Sequence, residues 1–280
     1  MIILELRPKH DFLVLLQAAD IARSTYYYYI KRSKVIDKYE AVKAAIIQLS
    51  VSHKGRYGYR RMLYALKKMD YIINHKTVLR LMNELGLKSI VRIKKYKSYK
   101  GEQGKIALNI IQRAFKADQP FQKWATDVTE FSVAGQKLYF SPIIELFNGQ
   151  IVSYSLSERP NFKQITDMLD KALNTIPKNT TLILHSDQGW QYQMKQYQNI
   201  LNKKGITQSM SRKGNCLDNA IIENFFGTIK SEIFYLKKYV SLKDLQKDII
   251  EYVEYYNNDR IRLNLKGMSP IQYRAHVLNN

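Results

Sequence analysis

The chain has 280 residues, 45% of them hydrophobic, which allows one large domain or two smaller ones with a real core. Its 45 Lys and Arg outnumber 24 Asp and Glu, a formal charge of +21 that suits a polyanionic partner. A single cysteine excludes an internal disulfide and a Cys-rich zinc site, and no apolar run approaches the roughly 20 residues needed to span a bilayer.

The charge is uneven. Residues 1–118 carry 25 basic and 9 acidic residues, net +16, against 20 and 15, net +5, in 119–280. Within the basic half, residues 12–32 read as two short helices about a turn, with Ser24 as a candidate cap for the second. Residues 36–87 read as a separate unit. "KYEAVKAAIIQL", "GRYGYRRMLYALKKM" and "NHKTVLRLMNELG" each bring apolar residues to one face at helical spacing, with Asn74 as a cap and Gly86 as a stop. Arg60, Arg61, Lys76 and Arg80 fall on the outer faces. A basic three-helix unit suits a helix-turn-helix with its third helix in the major groove, although a basic helical adaptor has the same pattern. Residues 88–118 read as a basic linker that tracks phosphates or is merely solvated.

From about residue 119 strands alternate with helices. "QKWATDVTEF" puts Trp124 and Val128 on one face and Ala125, Asp127 and Thr129 on the other. "KLYFSPIIELF" follows, with a bulge or break expected at Pro142, and then "QIVSYSLS". Short connections imply antiparallel pairing. A helix near 161–176, the strand "TTLILHSD", a helix near 193–204, a short "ITQS" and a last helix complete a mixed α/β sheet flanked by helices.

Three acids stand at telling positions in this pattern. Asp187 ends the fourth strand, which can lie beside the first, where Asp127 sits. Glu223 lies on the seam of a helix whose stripe is Ile222, Phe225, Phe226, Ile229 and Ile233, with Lys230 two turns on and Asn219 on the same side. Two carboxylates in one crevice repel unless a cation intervenes. Oxygen ligands without His or Cys favour Mg²⁺ or Mn²⁺, and two such ions about 3.5–4 Å apart can clamp an in-line phosphoryl displacement. Lys230 would then hold a DNA phosphate. Ordinary surface carboxylates are the competing reading. Arg212 and Lys213, in the loop "SRKGN", are candidate DNA contacts. Trp190 is read as either a base-stacking or a buried packing residue, and His185 as either tuning the site or a satisfied strand histidine. Ser211 and Cys216 have no paired base and are not read as nucleophiles.

The segments "WATDVTEF", "HSDQGWQY" and "SRKGNCLDNAIIENFFGTIKSE" resemble the catalytic core of bacterial insertion-sequence transposases of the IS-three group, relatives of retroviral integrases. The ending "YNNDRIRLNLKGMSPIQY" is similar to that group's ending, with Arg262 where many members have His, and residues 40–90 resemble its helix-turn-helix. The resemblance implies a ribonuclease-H-like five-stranded sheet of order 3-2-1-4-5 within a core over 119–280. It also implies that Asp127, Asp187 and Glu223 are the three metal-binding, catalytic acids and Lys230 the basic residue after them. The substrate implied is double-stranded DNA at the inverted repeats of a mobile element. Water frees a 3′ hydroxyl there, which attacks a second phosphodiester, commonly closing the element into a circle that later integrates. Members often act fused to the product of an upstream reading frame, so association with that product and a homo-oligomer on DNA are expected. The His–Cys zinc module of retroviral integrases has no counterpart here. A cytosolic, nucleoid-associated protein is expected. The alternatives are a non-catalytic DNA-binding remnant or self-repressor, and a nuclease acting on RNA–DNA hybrids.

Overall fold

The computed structural model describes residues 2–33, 37–89, 106–177, 180–212 and 215–279. The first helices are α1 (Ile2–Leu6), α2 (Phe12–Ala18) and α3 (Arg23–Ser33). Both helices expected over 12–32 are present, but the cap is elsewhere. Asp11 accepts the Leu13 and Val14 N–H groups at the start of α2, whereas α3 already begins at Arg23 and takes Ser24 into its first turn.

The second unit comprises α4 (Glu40–Ser52), α5 (Tyr59–Lys67) and α6 (His75–Glu84). Of the residues that the helical spacing turns inward, Val42, Ala45, Ile46, Met62, Leu66, Val78, Leu81 and Met82 are buried, while Leu49, Leu63 and Leu85 are only partly buried against that core. Asn74 caps α6 by accepting the Lys76 N–H at 2.8 Å. Ile261, from far along the chain, packs into the same core. Beside it the Tyr57 hydroxyl donates to the Asp259 carbonyl at 3.0 Å and accepts the Ile261 N–H at 3.3 Å.

The remainder is a mixed sheet between two helical layers. Its segments are β1 (Lys123–Thr126), β2 (Thr129–Val133), β3 (Gln136–Glu145), β4 (Ile151–Ser157), β5 (Ile183–Ser186) and β6 (Thr207–Met210). Strands β1 and β2 hold one continuous antiparallel register against β3, so they occupy a single strand position interrupted at Asp127 and Val128. Strand β4 pairs with the far side of β3, and β5 and β6 run parallel beside β1. The result is the ribonuclease-H-like order, with β4, β3, β1/β2, β5 and β6 side by side. The break expected at Pro142 lies elsewhere. Strand β3 runs unbroken through Pro142, and the interruption falls in its partner, because the shared register sets Asp127 opposite a residue that brings no N–H to the ladder. The β3–β4 ladder shifts register just afterwards, between Ile143 and Ile144.

Helices α7 (Phe162–Leu173) and α8 (Lys195–Lys203) cover one face through Trp124, Ile143, Met168, Leu184 and Leu201. Helices α9 (Ala220–Ile229) and α10 (Leu242–Asn258) cover the other through Phe131, Phe140, Ile222, Phe226, Ile249 and Tyr252, and α11 (Pro270–Leu278) follows behind a Ser269–Gln272 capping box. Alternation along β3 sorts the layers: Leu138, Phe140 and Ile144 face α9 and α10, and Ile143 faces α7. No helix among the described residues is long and apolar enough to cross a membrane.

The expected linker over 88–118 ends early. Residues 90–105 lie outside the described residues, but 106–118 are fastened to the sheet edge. Leu108 accepts the Met210 N–H, Ser209 Oγ accepts the Ile110 N–H at 3.0 Å, and Ile111 and Ala117 are buried.

Candidate active site

Asp127, Asp187 and Glu223 converge on the α9 side of the sheet. Trp124 packs on the α7–α8 face, so Asp127, three residues on, points to the opposite one. The parallel register pairs Ala125 with His185, and two further residues along each chain bring Asp127 beside Asp187. Helix α9 lies across this point, with Glu223 in its first turn. All three side chains are half-buried, lining a crevice rather than sealed in the core.

Local bonds aim the carboxylates. Asp127 Oδ1 accepts the Val128 N–H at 2.7 Å, and Oδ2 accepts Asn219 Nδ2–H at 3.1 Å. Asp187 Oδ1 accepts the Gly189 N–H at 2.8 Å in a tight turn. A Cβ at Gly189 would stand 2.9 Å from that same oxygen and 2.7 Å from Gln191 Nε2, so a side chain here would displace the Asp187 carboxylate or the Gln191 amide.

The electrostatics are those of gathered acids only partly compensated. Burial, then the charge of Asp187, and to a lesser extent that of Glu223, push the Asp127 carboxyl well above the usual range, while the Val128 N–H and the charge of Lys230 pull it back. Burial also raises Asp187, against the Gly189 N–H. Glu223 is raised by burial and by Asp187. Among the described residues no three His, Cys, Asp or Glu side chains form a ready metal cage. What fits a hard divalent cation is the donor chemistry: oxygen ligands only, mutual repulsion, and a buried Asn219 oxygen with no partner. Lys230 opens a π-helical turn, Lys230–Phe234, that continues α9, and its ammonium stands 5.2 Å from the Phe131 ring centroid beside Asp127.

The other sequence-selected residues divide. Trp190 starts a short 3-10 turn beside Asp187 and is 51% exposed, so the packing role expected for it does not hold. His185 is a satisfied strand histidine. Its Nε2–H donates to the Asp218 carbonyl and its Nδ1 accepts from Ser209 Oγ, both at 2.8 Å, and burial lowers its basicity. Arg212 is exposed, with its guanidinium forked onto Asp218. Asp218 is buried and also takes Arg113 and Asn109, and the Arg212 hydrogen bond, with Arg113, holds its carboxyl far below the usual range. Lys213 lies outside the described residues. Lys76, Arg80 and Arg60 are exposed on α6 and α5, Arg80 paired with Glu84 and Arg60 bonded to the Tyr59 hydroxyl. Arg61 turns inward to Glu232. Arg262 donates to the Tyr256 hydroxyl at 3.1 Å and lies across Gly149, where a Cβ would meet its Nη1 at 1.7 Å.

Two acids in the sequence carry no signal that marks them as structural. Glu145 is fully buried, accepting the Phe121 N–H, Trp124 Nε1–H and Phe147 N–H, and Asp218 is the loop anchor just described. The role of Asn219 as a direct partner of Asp127 also escaped the pattern, although its place four residues before Glu223 was a usable signal.

The sequence is similar to those of known proteins. Integrase core domain models match residues 117–216 and 223–278, and an HTH-like domain model matches residues 38–95. The chain is 53% identical over 270 residues, 96% of this chain and 95% of the other, to "Putative transposase InsK for insertion sequence element IS150" of Escherichia coli. It is 29% identical to "Transposase InsF for insertion sequence IS3A" of the same species, over 90% of each chain. Among solved structures, the HTLV-2 integrase catalytic core domain in complex with magnesium aligns with a TM-score of 0.41 at 18% identity, over 56% of this chain and 98% of that one.

Proposed function

The chain belongs to the transposases of insertion-sequence elements that carry an integrase core, and from that premise we propose that it cuts and rejoins DNA at the ends of such an element. The observation that carries this reading is the gathering of Asp127, Asp187 and Glu223 on one face of the sheet, each with its carboxyl raised by burial and two of them by their neighbours' charge. These are the residues that would hold Mg²⁺ or Mn²⁺, two ions per site. The bound cations would supply charge neutralisation at the attacking and leaving oxygens of an in-line displacement.

The chain's own contribution is positioning. Val128 N–H and Asn219 fix the Asp127 carboxylate, and Gly189 N–H fixes Asp187. Lys230 sets a positive charge beside Asp127, where a DNA phosphate would lie. Water attacks the phosphodiester at the element end and frees a 3′ hydroxyl. That hydroxyl then attacks a second phosphodiester, and the displaced 3′ oxygen leaves with a proton. Trp190, exposed beside Asp187, offers a face for an unpaired base. Lys76, Arg80 and Arg60 form the outer, phosphate-facing surface of the helix-turn-helix, and Arg212 adds an exposed basic group near the site. Two element ends call for a homo-oligomer on DNA, working with the upstream reading-frame product in the cytoplasm at the nucleoid.

The test is a strand-cleavage assay with the full chain, duplex DNA ending in the element's terminal repeat, and Mg²⁺. Wild type should release the 3′ end, and Asp127→Asn and Asp187→Asn should each lower the rate at least a hundredfold, a loss of about 2.7 kcal/mol in transition-state stabilisation. Equal cleavage by wild type and both variants would overturn the assignment.

A further inference from the structure

Asn219 is the residue at the N-cap of α9, a position where an asparagine ordinarily accepts a backbone N–H of the first turn. Here its side chain makes no capping bond. It is 4% exposed, donates from Nδ2 to Asp127 Oδ2 at 3.1 Å, and leaves Oδ1 buried with no hydrogen-bond partner. The orientation of the amide follows from its neighbour. In the ionised form that holds a cation, Asp127 only accepts, so the NH₂ end faces it and the carbonyl end faces away.

Buried carbonyl oxygens are nearly always paired, and an exception calls for an explanation such as a catalytic role or a water or ion bound there. Helix α9 has forgone its side-chain cap, and the amide instead bridges Asp127 to an empty acceptor position. We propose that Asn219 is a positioning residue of the active site. Its Nδ2–H holds Asp127 Oδ2 for cation binding, and its unpaired Oδ1 takes a hydrogen from a water or hydroxyl that enters with the cation. This rests on the reading of Asp127 as a metal-binding acid. With Val128 N–H on one oxygen and Asn219 on the other, neither Asp127 oxygen is free to swing, and each keeps a lone pair for a cation. Partners of this kind typically alter metal affinity 10–100-fold when removed.

The test is Mn²⁺ binding to the full, DNA-free chain, read from the loss of the free-ion paramagnetic resonance signal. Wild type, Asp127→Asn, Asn219→Ala and Asn219→Ser are compared, each also melted without divalent cation. Serine is a good N-cap residue and too short to bridge to Asp127, so Asn219→Ser loses the bridge while remaining compatible with the start of α9, and it carries the test if the alanine variant fails to fold. The expected result is a ten- to hundredfold loss of Mn²⁺ affinity in the Asn219 variants, with melting of Asn219→Ser unchanged and affinity for terminal-repeat DNA retained. Wild-type Mn²⁺ affinity in Asn219→Ser would overturn this proposal and leave the metal reading standing. No Mn²⁺ binding by wild type, or equal binding by Asp127→Asn, would overturn the metal reading and this proposal with it.

Discussion

Arg61 of α5 donates from Nη1 to the carboxylate of Glu232, in the π-helical turn after α9, across 171 positions of sequence. The same carboxylate accepts a fork from Arg260 and the hydroxyl of Tyr252, while Arg56 Nε–H donates to the Glu232 carbonyl. Burial alone would raise Glu232, yet the hydrogen bond and charge of Arg260, with the charge of Arg61 and the Tyr252 hydroxyl, hold it below the usual range. The three-helix unit is thereby tied to the helix that carries Glu223.

Removing one partner of a buried pair strands the other, so Glu232→Ala should destabilise the chain by about 3–5 kcal/mol in chemical denaturation. Arg61→Ala, at a half-exposed position, should cost about 1 kcal/mol or less. It should also leave DNA affinity nearly unchanged. Lys76→Ala should do the reverse, weakening DNA binding and reducing the salt dependence by about one counterion without altering stability. Equal effects of both on DNA affinity would return Arg61 to the DNA face.

The acid cluster makes a prediction about pH. The folded carboxyl of Asp127 is raised, so protons favour the folded state and the cluster weakens it as pH climbs from the ordinary carboxylate range through the raised value. Without divalent cation, Asp127→Asn should therefore melt higher than wild type at neutral pH, by about 2–4 °C for each kcal/mol of repulsion relieved. The difference should shrink towards pH 4. Thermal melts across that range decide it, and a variant that melts lower at every pH would contradict the electrostatic account.

Asp218 works in the opposite sense. Its carboxyl is depressed by Arg212 and Arg113, so its stabilisation is present above the ordinary carboxylate range and fades as pH falls towards the lowered value. Asp218→Asn should destabilise the chain at neutral pH and converge with wild type in strong acid. Hydrogen exchange at the Arg212 N–H, which Asp218 Oδ2 accepts at 3.1 Å, should accelerate in the variant.

The two tryptophans supply an internal control. Trp124 is fully buried and Trp190 is exposed beside Asp187. Element-end DNA should quench the emission of Trp190 and leave that of Trp124 unaltered, as read by comparing Trp190→Phe with wild type. Trp190→Ala should lower DNA processing with no change in melting.

Much of this was legible in the chain because periodicity reports burial. The stripe on α9, the inward residues of α4 to α6 and the alternation around Trp124 all follow from a face seeking the core. The arrangement of Asp127 and Asp187 followed from strand ends. Three features depended on partners distant in sequence and had no local signal. Arg61 looks like any exposed basic residue until Glu232 and Arg260 are placed near it. Residues 106–118 look like linker until the β6 edge accepts them. Pro142 marks a break in the ladder, but whether its own strand or the partner yields depends on the register between them, and the partner yields.

The most direct measurement is circle-junction formation in cells from a donor plasmid carrying the element, its terminal repeats and any upstream reading frame. Wild type is compared with Glu223→Gln, which keeps the side-chain size and removes the charge. Junctions from wild type and none from the variant are the expected result. Junctions from both would contradict the assignment of Glu223, and junctions from neither, with DNA binding retained, would contradict catalysis by this chain.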